Sequence, residues 1–357
     1  MGNMYTIAVE KAETLKKKPL DSELTFGTVF TDHMFTLDYK APEGWLNPRI
    51  EPYRPLSMDP STMVLHYGQA IFEGIKAYRR NNGKIGIFRP NAYIPRLNRS
   101  AERLCIPKVD EKLFYEALMK LIDLERDWVP GSKETSLYIR PFIIATDPYL
   151  GVRPSNTYKF MIILSPVGAY YPEGFKPVKI YVTDKYVRAV KGGLGYVKTP
   201  ANYAASLMAA EEAKKAGYTQ VLWLDGCQSK YIEEVGTMNI FFVINDEVIT
   251  PPLEGSILGG ITRDSVLMAT RKWGLKVKEE HISIDQVYEA YQKGTLQEVF
   301  GTGTAAVISP VNELKWNDKI IIPGDGSVGK VSQKLYDYIS GVQYGQLEDD
   351  FGWVTEL

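Results

Sequence analysis

Apolar positions follow strand spacing and helix spacing in turn from residue 62 onward. Short apolar runs predict strands, and apolar positions three and four residues apart predict helices. The strands are predicted over 62–67, 84–89, 136–144 and 159–164, and the helices over 91–104 and 111–128, the latter with Asp110 as N-cap. Residues 1–60 show little helical periodicity and several prolines, so they are predicted to form a polar arm.

A proline- and glycine-rich segment separates this region from a second α/β region. Chain breakers concentrated in this way indicate an interdomain linker, predicted over 166–177. The predicted domains are therefore an N-terminal α/β domain with an extended arm over 1–165 and a C-terminal domain over 178–357. In the second domain we expect strands over 178–182, 220–225, 239–244 and 298–300, and helices over 201–215, 262–273 and 328–341.

Composition narrows the class of protein. The chain has 357 residues, of which 45% are hydrophobic, and its net charge is -1. A length beyond roughly 250–300 residues favours two cores over one. A near-neutral chain gives no electrostatic basis for nucleic-acid binding. The two cysteines cannot supply a four-thiolate metal site, and the three histidines lack metal-ligand spacing. No run of residues is apolar enough for a membrane span or a signal peptide. We therefore expect a cytoplasmic protein without a metal centre.

The first chemically suggestive segment is the glycine-rich loop over 192–195, which precedes Lys198 and a predicted helix. Glycine lets the backbone approach a ligand closely. A lysine in such a loop can form a Schiff base with a carbonyl cofactor when desolvation lowers its pKa. A surface lysine on a mobile loop is the other interpretation.

A second such segment is Glu233–Glu234, which leads into an apolar strand. One of the two carboxylates must point inward, because neighbouring strand residues face opposite sides. A buried carboxylate needs a cationic partner, which a protonated pyridine nitrogen can supply. A glutamate in solvent or paired with an arginine would explain the same pattern.

Two glycine-containing turns are candidate anion sites. Gly259–Gly260 precedes the predicted helix with Ile261 and Thr262, where free N–H groups suit a phosphate. The segment over 301–305 is expected to follow a strand that ends at Phe300. Each could equally be a tight turn. Neither matches a phosphate-binding P-loop, and no dinucleotide-binding glycine motif is present.

In their order along the chain, these features resemble the branched-chain amino-acid aminotransferases, members of the fold-type IV pyridoxal-phosphate enzymes. The resemblance rests on Lys198, Tyr203, the run over 234–239 and Gly303-Thr304-Ala305, and on further runs over 26–34, 65–68, 72–77 and 138–141. It covers nearly the whole chain. It implies an α/β (α+β) fold with a smaller N-terminal α/β domain, a larger C-terminal domain and the cofactor pyridoxal 5′-phosphate (PLP) between them.

For the cofactor, the resemblance implies a role for each matching residue. Lys198 would hold PLP as a Schiff base and shuttle a proton between the substrate Cα and the cofactor. Glu234 would face the pyridine nitrogen and Tyr203 the ring oxygen. The phosphate would bind to Arg96, to the backbone N–H groups of Ile261 and Thr262, and to Thr304.

For the substrates, the resemblance implies reversible transamination of leucine, isoleucine and valine with 2-oxoglutarate in a homodimer. The pocket would be apolar, with Arg140 and tyrosine hydroxyls accepting the carboxylate of glutamate. Its implied residues are Phe26, Tyr67, Phe72, Tyr138, Arg140, Tyr170, Thr237 and Ala305, with Leu150 and Val152 from a second subunit. Mammalian relatives carry Cys-x-x-Cys where this chain has Ala306 and Ser309, which excludes thiol redox control there.

Two alternatives share the superfamily fold. D-amino-acid aminotransferases and aminodeoxychorismate lyases share the lysine, the glutamate and the phosphate arginine, but lack the long arm and the sequence context of 72–77 and 138–141. A non-catalytic, ligand-binding homologue is expected to lose Lys198 or Glu234, and both are present. The sequence leaves open the preferred branched-chain substrate, the dominant direction and any assembly beyond a dimer.

Overall fold

A computed structural model describes residues 6–169 and 174–357 of the protein. Their contacts group into two compact units. The first contains the described residues up to 169 together with Lys198–Pro200 and Gly341–Leu357, and the second contains 174–197 and Ala201–Ser340. The predicted linker includes 170–173, which lie outside the described residues, so the domain limits at 165 and 178 stay predictions.

The secondary structure alternates strands and helices along most of the chain. In chain order the strands are β1 (Ala8–Val9), β2 (His33–Lys40), β3 (Gly44–Pro52), β4 (Ala70–Phe72), β5 (Ile75–Arg79), β6 (Ile85–Phe88), β7 (Ser136–Ala145), β8 (Thr157–Val167), β9 (Val178–Thr183), β10 (Gln220–Leu224), β11 (Ile232–Val235), β12 (Met238–Ile244), β13 (Glu247–Thr250), β14 (Lys276–Glu279), β15 (Leu296–Gly303), β16 (Val307–Trp316), β17 (Lys319–Ile321) and β18 (Val354–Glu356). The α-helices are α1 (Met63–Tyr67), α2 (Pro90–Arg103), α3 (Glu111–Leu124), α4 (Pro200–Ala204), α5 (Leu207–Lys215), α6 (Ile261–Lys272), α7 (Ile284–Gln292) and α8 (Lys330–Tyr344).

The first unit is built on a sheet that, within the described residues, has nine strands in the order β1-β3-β2-β8-β7-β5-β6-β18, with β4 paired to β7. All its pairings are antiparallel except that of β1 with β3. Helix α3 begins after Asp110, whose side chain accepts a hydrogen bond from the Leu113 N–H. Its apolar face, including Leu121, is fully buried.

The second unit contains a mixed sheet, also of nine described strands, in the order β11-β10-β9-β16-β15-β12-β13-β14. Strand β11 also pairs with β12, so six of these strands close into a ring, and β17 extends β16. Strands β9 and β10 are parallel, as are β9 and β16. Strands β11, β12 and β15 lie side by side and bring the Glu234 and Gly303 segments to one part of the sheet.

Two predictions for the N-terminal region are wrong. Residues 1–60 are not only a polar arm, because β2 and β3 belong to the sheet and β2 lies between β3 and β8. The sequence pattern of β2 is not that of an ordinary strand, because polar residues are buried in it. Thr36, for example, is buried and donates a hydrogen bond to Glu51. The predicted strand over 62–67 is helix α1, which ends at Gly68 with a φ of 60°.

Most of the other predicted elements are confirmed within a few residues, and two differ in detail. The predicted helix over 201–215 is interrupted between α4 and α5. The strand expected to end at Phe300 continues to Gly303, because Gly301 and Gly303 pair with β16. In the described parts of the chain, no helix combines the length and the apolar character needed to cross a bilayer.

Candidate active site

The backbone of Lys198 is fixed by hydrogen bonds within the first unit. Its N–H donates to the Ser100 hydroxyl at 3.0 Å, and its carbonyl accepts from the Phe72 N–H at 3.1 Å. The Thr199 hydroxyl donates to the Ala70 carbonyl at 2.8 Å. These bonds tie the lysine to β4 and to α2, so its position differs from that of a surface lysine on a mobile loop.

The Lys198 side chain lies at an aromatic cluster in the same unit. Its Nζ is 5.0 Å from the centroid of the Phe72 ring, and the Arg140 guanidinium carbon is 4.6 Å from that centroid. Arg140 Nη2 donates to the Tyr138 hydroxyl at 2.9 Å. Phe26 packs edge-on against Tyr138, with ring centroids 4.9 Å apart. An amine, a guanidinium and three aromatic rings therefore come together.

Gly74 allows the Tyr138 ring to approach the turn between β4 and β5. A Cβ at Gly74 would lie 3.0 Å from the Tyr138 Cζ and closer still to the hydroxyl oxygen. Lys76 pairs directly with Tyr138 across β5 and β7, so the two side chains lie on one face of the sheet. Burial lowers the pKa of Lys76 to about 8.

Arg96 forms a buried ion pair that the sequence did not predict. Its Nε donates to Glu73 Oε1 at 2.8 Å and its Nη2 donates to Glu73 Oε2 at 2.6 Å. Both side chains are buried. This two-pronged contact fixes the plane of the guanidinium and directs the Nη1 side of the group away from Glu73.

In the second unit, Glu234 is buried, and its carboxylate contacts Leu258 and Arg188. Its Oε1 accepts a hydrogen bond from the Leu258 N–H at 2.8 Å, and its Oε2 lies 3.2 Å from Arg188 Nε. Asn239 pairs with Glu234 across β11 and β12 and donates to the Leu258 carbonyl at 2.8 Å. The expectation that one of the two glutamates would point inward is too narrow, because Glu233 is buried as well.

The same loop positions the start of α6. Gly260 is the N-cap residue and makes no side-chain cap, and a Cβ there would clash with Asn239 Oδ1. Ile261 and Thr262 therefore begin the helix beside the loop that binds Glu234. The N–H groups of a first helical turn favour an anion. On the neighbouring β15, the buried Thr302 hydroxyl has no hydrogen-bond partner among the described residues.

The remaining predicted site residues are distributed as follows. In the first unit, Leu150 and Val152 lie on an exposed loop and are 61% and 86% exposed, and the Tyr67 hydroxyl donates to the Leu150 carbonyl. In the second unit, Tyr203 is half-buried in α4, Thr237 is exposed in the turn between β11 and β12, and Thr304 and Ala305 lie in the turn between β15 and β16. Tyr170 lies outside the described residues.

Sequence reasoning missed several residues that hold these groups in place: Glu73, Gly74, Arg188, Asn239 and Ser256. Glu73, Gly74 and Asn239 stand inside motifs that the sequence already marked. Arg188 and Ser256 are distant from Glu234 in sequence, so no local pattern indicates them.

Comparison with known proteins places this geometry in a family. A family model described as "Amino-transferase class IV" matches residues 70–314. The chain is 57% identical over 352 residues to a branched-chain-amino-acid aminotransferase 2 of Bacillus subtilis, covering 99% of this chain and 97% of that protein.

Solved structures agree. The branched-chain amino acid aminotransferase from Escherichia coli matches with a TM-score of 0.73 and 28% identity, over 91% of this chain and 98% of that one. The branched-chain aminotransferase from the thermophilic archaeon Thermoproteus uzoniensis, solved with norvaline, matches with a TM-score of 0.75 and 26% identity, over 91% of this chain and 99% of that one. The resemblance found in the sequence is confirmed: the chain belongs to the class IV aminotransferases, in the family of the branched-chain-amino-acid aminotransferases.

Proposed function

We propose that the protein catalyses the reversible transamination of leucine, isoleucine and valine with 2-oxoglutarate, using PLP. The observation that carries this proposal is the position of Lys198 Nζ, 5.0 Å from the centre of a ring that also carries the Arg140 guanidinium on its face. An amine that can bind a carbonyl group thus lies next to an apolar wall and one cation. The family of the chain and the names of its relatives support the same reaction.

The residues present suit PLP chemically. Lys198 offers the amine for the aldehyde, and Glu234 offers a buried carboxylate for the ring nitrogen. The first turn of α6 and the buried Arg96 guanidinium offer N–H groups of the kind that bind a phosphate. We assign the phosphate to Arg96, Ile261, Thr262 and Thr304, and the ring oxygen to Tyr203.

When bound, PLP supplies a ring that withdraws electrons from the substrate. The protein supplies position and proton transfer. Lys198 Nζ would remove the proton from the substrate Cα and deliver it to the carbon that was the aldehyde carbon of the cofactor. Its hydrogen-bonded backbone supports this role, because a fixed backbone limits the region that Nζ can reach.

Substrate selection follows from the mixed character of the pocket. Phe26, Phe72 and Tyr138 offer apolar surface for a branched side chain, which gains about 0.8 kcal/mol per buried methylene. Arg140 offers a cation for the side-chain carboxylate of glutamate. One arginine within an apolar wall can serve both substrates in turn. Tyr67, Tyr170, Thr237 and Ala305 are proposed to complete the pocket.

We propose a homodimer, in which Leu150 and Val152 complete the partner's pocket. The loop that carries them is braced, since Arg153 forms an ion pair with Asp147 at 2.7 Å and lies over the Tyr149 ring at 4.3 Å. A braced loop that exposes two large apolar side chains suits burial in an interface. Val152→Glu should therefore reduce both dimer formation and activity, with Leu347→Glu as a control at another exposed apolar position.

The direct test is an assay of 2-oxoglutarate-dependent transamination across a panel of L- and D-amino acids. We expect glutamate to form with leucine, isoleucine and valine, and the yellow absorbance of bound PLP to accompany the purified protein. Preference for D-alanine would favour a D-amino-acid aminotransferase. Absence of both turnover and PLP binding would contradict the proposal.

A further inference from the structure

The side chain of Thr302 in β15 is buried, and its hydroxyl has no hydrogen-bond partner in the part of the chain that the structure describes. The residue is 1% exposed. A hydroxyl group can donate one hydrogen bond and accept others, and leaving it unpaired away from water costs free energy. Native proteins pair most of their buried polar groups, so this hydroxyl requires an explanation.

Thr302 belongs to a row of three buried polar side chains across the sheet. Asn239 in β12 pairs with Glu234 in β11 on one side and with Thr302 in β15 on the other. Directly paired residues of antiparallel strands point to the same face, with Cβ atoms about 4.5–5.5 Å apart. Each of the three residues is at most 5% exposed. The face that carries the carboxylate assigned to the ring nitrogen therefore also carries the unpaired hydroxyl.

The loop before α6 crosses the same row. Its Leu258 N–H donates to Glu234 Oε1, and its Leu258 carbonyl accepts from Asn239 Nδ2, both at 2.8 Å. Two residues later, Gly260 packs so closely against the row that a Cβ there would clash with Asn239 Oδ1. Gly260 is the N-cap residue of α6, and this helix contacts β15. The helix therefore begins beside the middle residue of the row, whose next neighbour is Thr302.

The other face of the same strands belongs to the hydrophobic core. Gly301 and Ser309 pair across β15 and β16 and lie on the face opposite Thr302. A Cβ at Gly301 would lie 2.9 Å from Met238 Cε, and Met238 is part of the core of this unit. Ser309 is 2% exposed, and among the described residues its hydroxyl has no hydrogen-bond partner either. Lack of a partner is thus common to both hydroxyls, and only that of Thr302 faces the row with Glu234.

We propose that Thr302 is a further cofactor-binding residue, whose hydroxyl donates a hydrogen bond to the phosphate of PLP. With the ring nitrogen at Glu234, the phosphate would lie toward the other end of the row, where α6 begins. A phosphate has three acceptor oxygens, so it can accept from the N–H groups of the helix and from the hydroxyl together. The inference rests on the proposed function, because it takes PLP as the ligand and places its ring nitrogen at Glu234.

The test compares PLP with pyridoxal, which has the same ring and aldehyde but lacks the phosphate. Apoprotein of the unsubstituted chain, of Thr302→Val and of the control Ser309→Ala is titrated with each compound, and the absorbance of the bound aldehyde gives the affinity. Valine keeps the branched shape of threonine and removes the hydroxyl. For Thr302→Val we expect PLP to bind about tenfold or more weakly, the size of one hydrogen bond to a charged group, and pyridoxal to bind with unchanged affinity. Ser309→Ala should leave both affinities unchanged.

Three further measurements separate phosphate binding from a structural role. The 31P chemical shift of bound PLP should change in Thr302→Val and stay the same in Ser309→Ala. The melting temperature of Thr302→Val apoprotein should equal or exceed that of the unsubstituted apoprotein, because the substitution removes a buried hydroxyl without a partner. Thr302→Ser keeps a hydroxyl at this position and should restore most of the PLP affinity.

Equal PLP affinity in Thr302→Val and in the unsubstituted protein would overturn the inference. An equal loss of affinity for PLP and for pyridoxal would overturn it as well, because the hydroxyl would then serve the ring or the fold and not the phosphate. If Thr302→Val does not fold, Thr302→Ala takes its place with the same expected and contradicting results. If the unsubstituted protein binds neither compound, the proposed function itself is wrong, which is a different result from equal binding by all variants.

Discussion

Replacing Arg140 by methionine should separate the two substrates of the proposed reaction. Methionine keeps the apolar contacts with Phe72 and Tyr138 and removes the guanidinium that lies 4.6 Å and 5.2 Å from their ring centroids. A glutamate side-chain carboxylate would then enter an apolar site without a cation, whereas the leucine side chain makes no ion pair that could be lost. The efficiency of the half-reaction with glutamate should fall, and that of the half-reaction with leucine should change little.

The structure sets the expected size of this effect. Removing one partner of a buried charge pair typically costs about 2–5 kcal/mol. Arg140 is half-buried, but its Nε is buried without a hydrogen-bond partner among the described residues, so desolvation is partial. We therefore expect the lower end of the range, a loss of roughly 30- to 150-fold for glutamate and less than about tenfold for leucine.

Single-turnover measurements of each half-reaction, followed by the absorbance of the bound cofactor, give these two losses directly. Arg140→Lys is the matched control, because it keeps the charge and loses the planar fork, and it should retain part of the glutamate reaction. Equal losses with both substrates would show that Arg140 is structural or binds the α-carboxylate, and the dual-substrate reasoning would be refuted.

Three further predictions concern the surrounding groups. Glu234→Gln should cost far more turnover than Glu233→Gln, because only Glu234 is assigned to the ring nitrogen; steady-state kinetics showing the reverse order would mean that the strand register is misassigned. Gly74→Ala should raise the KM for leucine by about tenfold or more by displacing Tyr138, equivalent to roughly 1.4 kcal/mol, whereas Gly131→Ala, which has room for a Cβ, should leave the KM unchanged. Burial raises the pKa of Asp225, but hydrogen bonds from backbone N–H groups outweigh it and lower that pKa overall; its contribution to stability is therefore complete above the ordinary aspartate pKa and is lost as the pH falls below about 4. Melting curves of Asp225→Asn should lack that part of the acid dependence.

The sequence predicted those parts of the site that lie in short, locally recognisable motifs. Lys198 follows a glycine-rich loop, and Ile261 and Thr262 begin a helix after two glycines. In both places the glycines indicated a segment whose backbone can approach a ligand closely. The helices α2, α3 and α6 were also predictable, because their apolar spacing and their first residues agree with each other.

Features that depend on distant pairing were not predictable. Strand β2 has buried polar residues whose partners lie on other elements, as Thr36 does with Glu51. Glu73 and Arg96 are 23 residues apart, and only the fold brings their side chains into a two-pronged ion pair. The contact of Arg188 with Glu234 joins residues with no shared motif. A single sequence carries no signal for such contacts.

The proposed function is tested most directly by chemical identification of the lysine that binds PLP. The holoenzyme is reduced with borohydride, digested, and mapped by mass spectrometry for the phosphopyridoxyl group. Lys76 is a demanding internal control, because its pKa of about 8 makes it a better nucleophile at neutral pH than an ordinary lysine. We predict that the label is on Lys198, and that Lys198→Ala loses both the label and the activity. A label on Lys76 or Lys191 in the unsubstituted protein would contradict it.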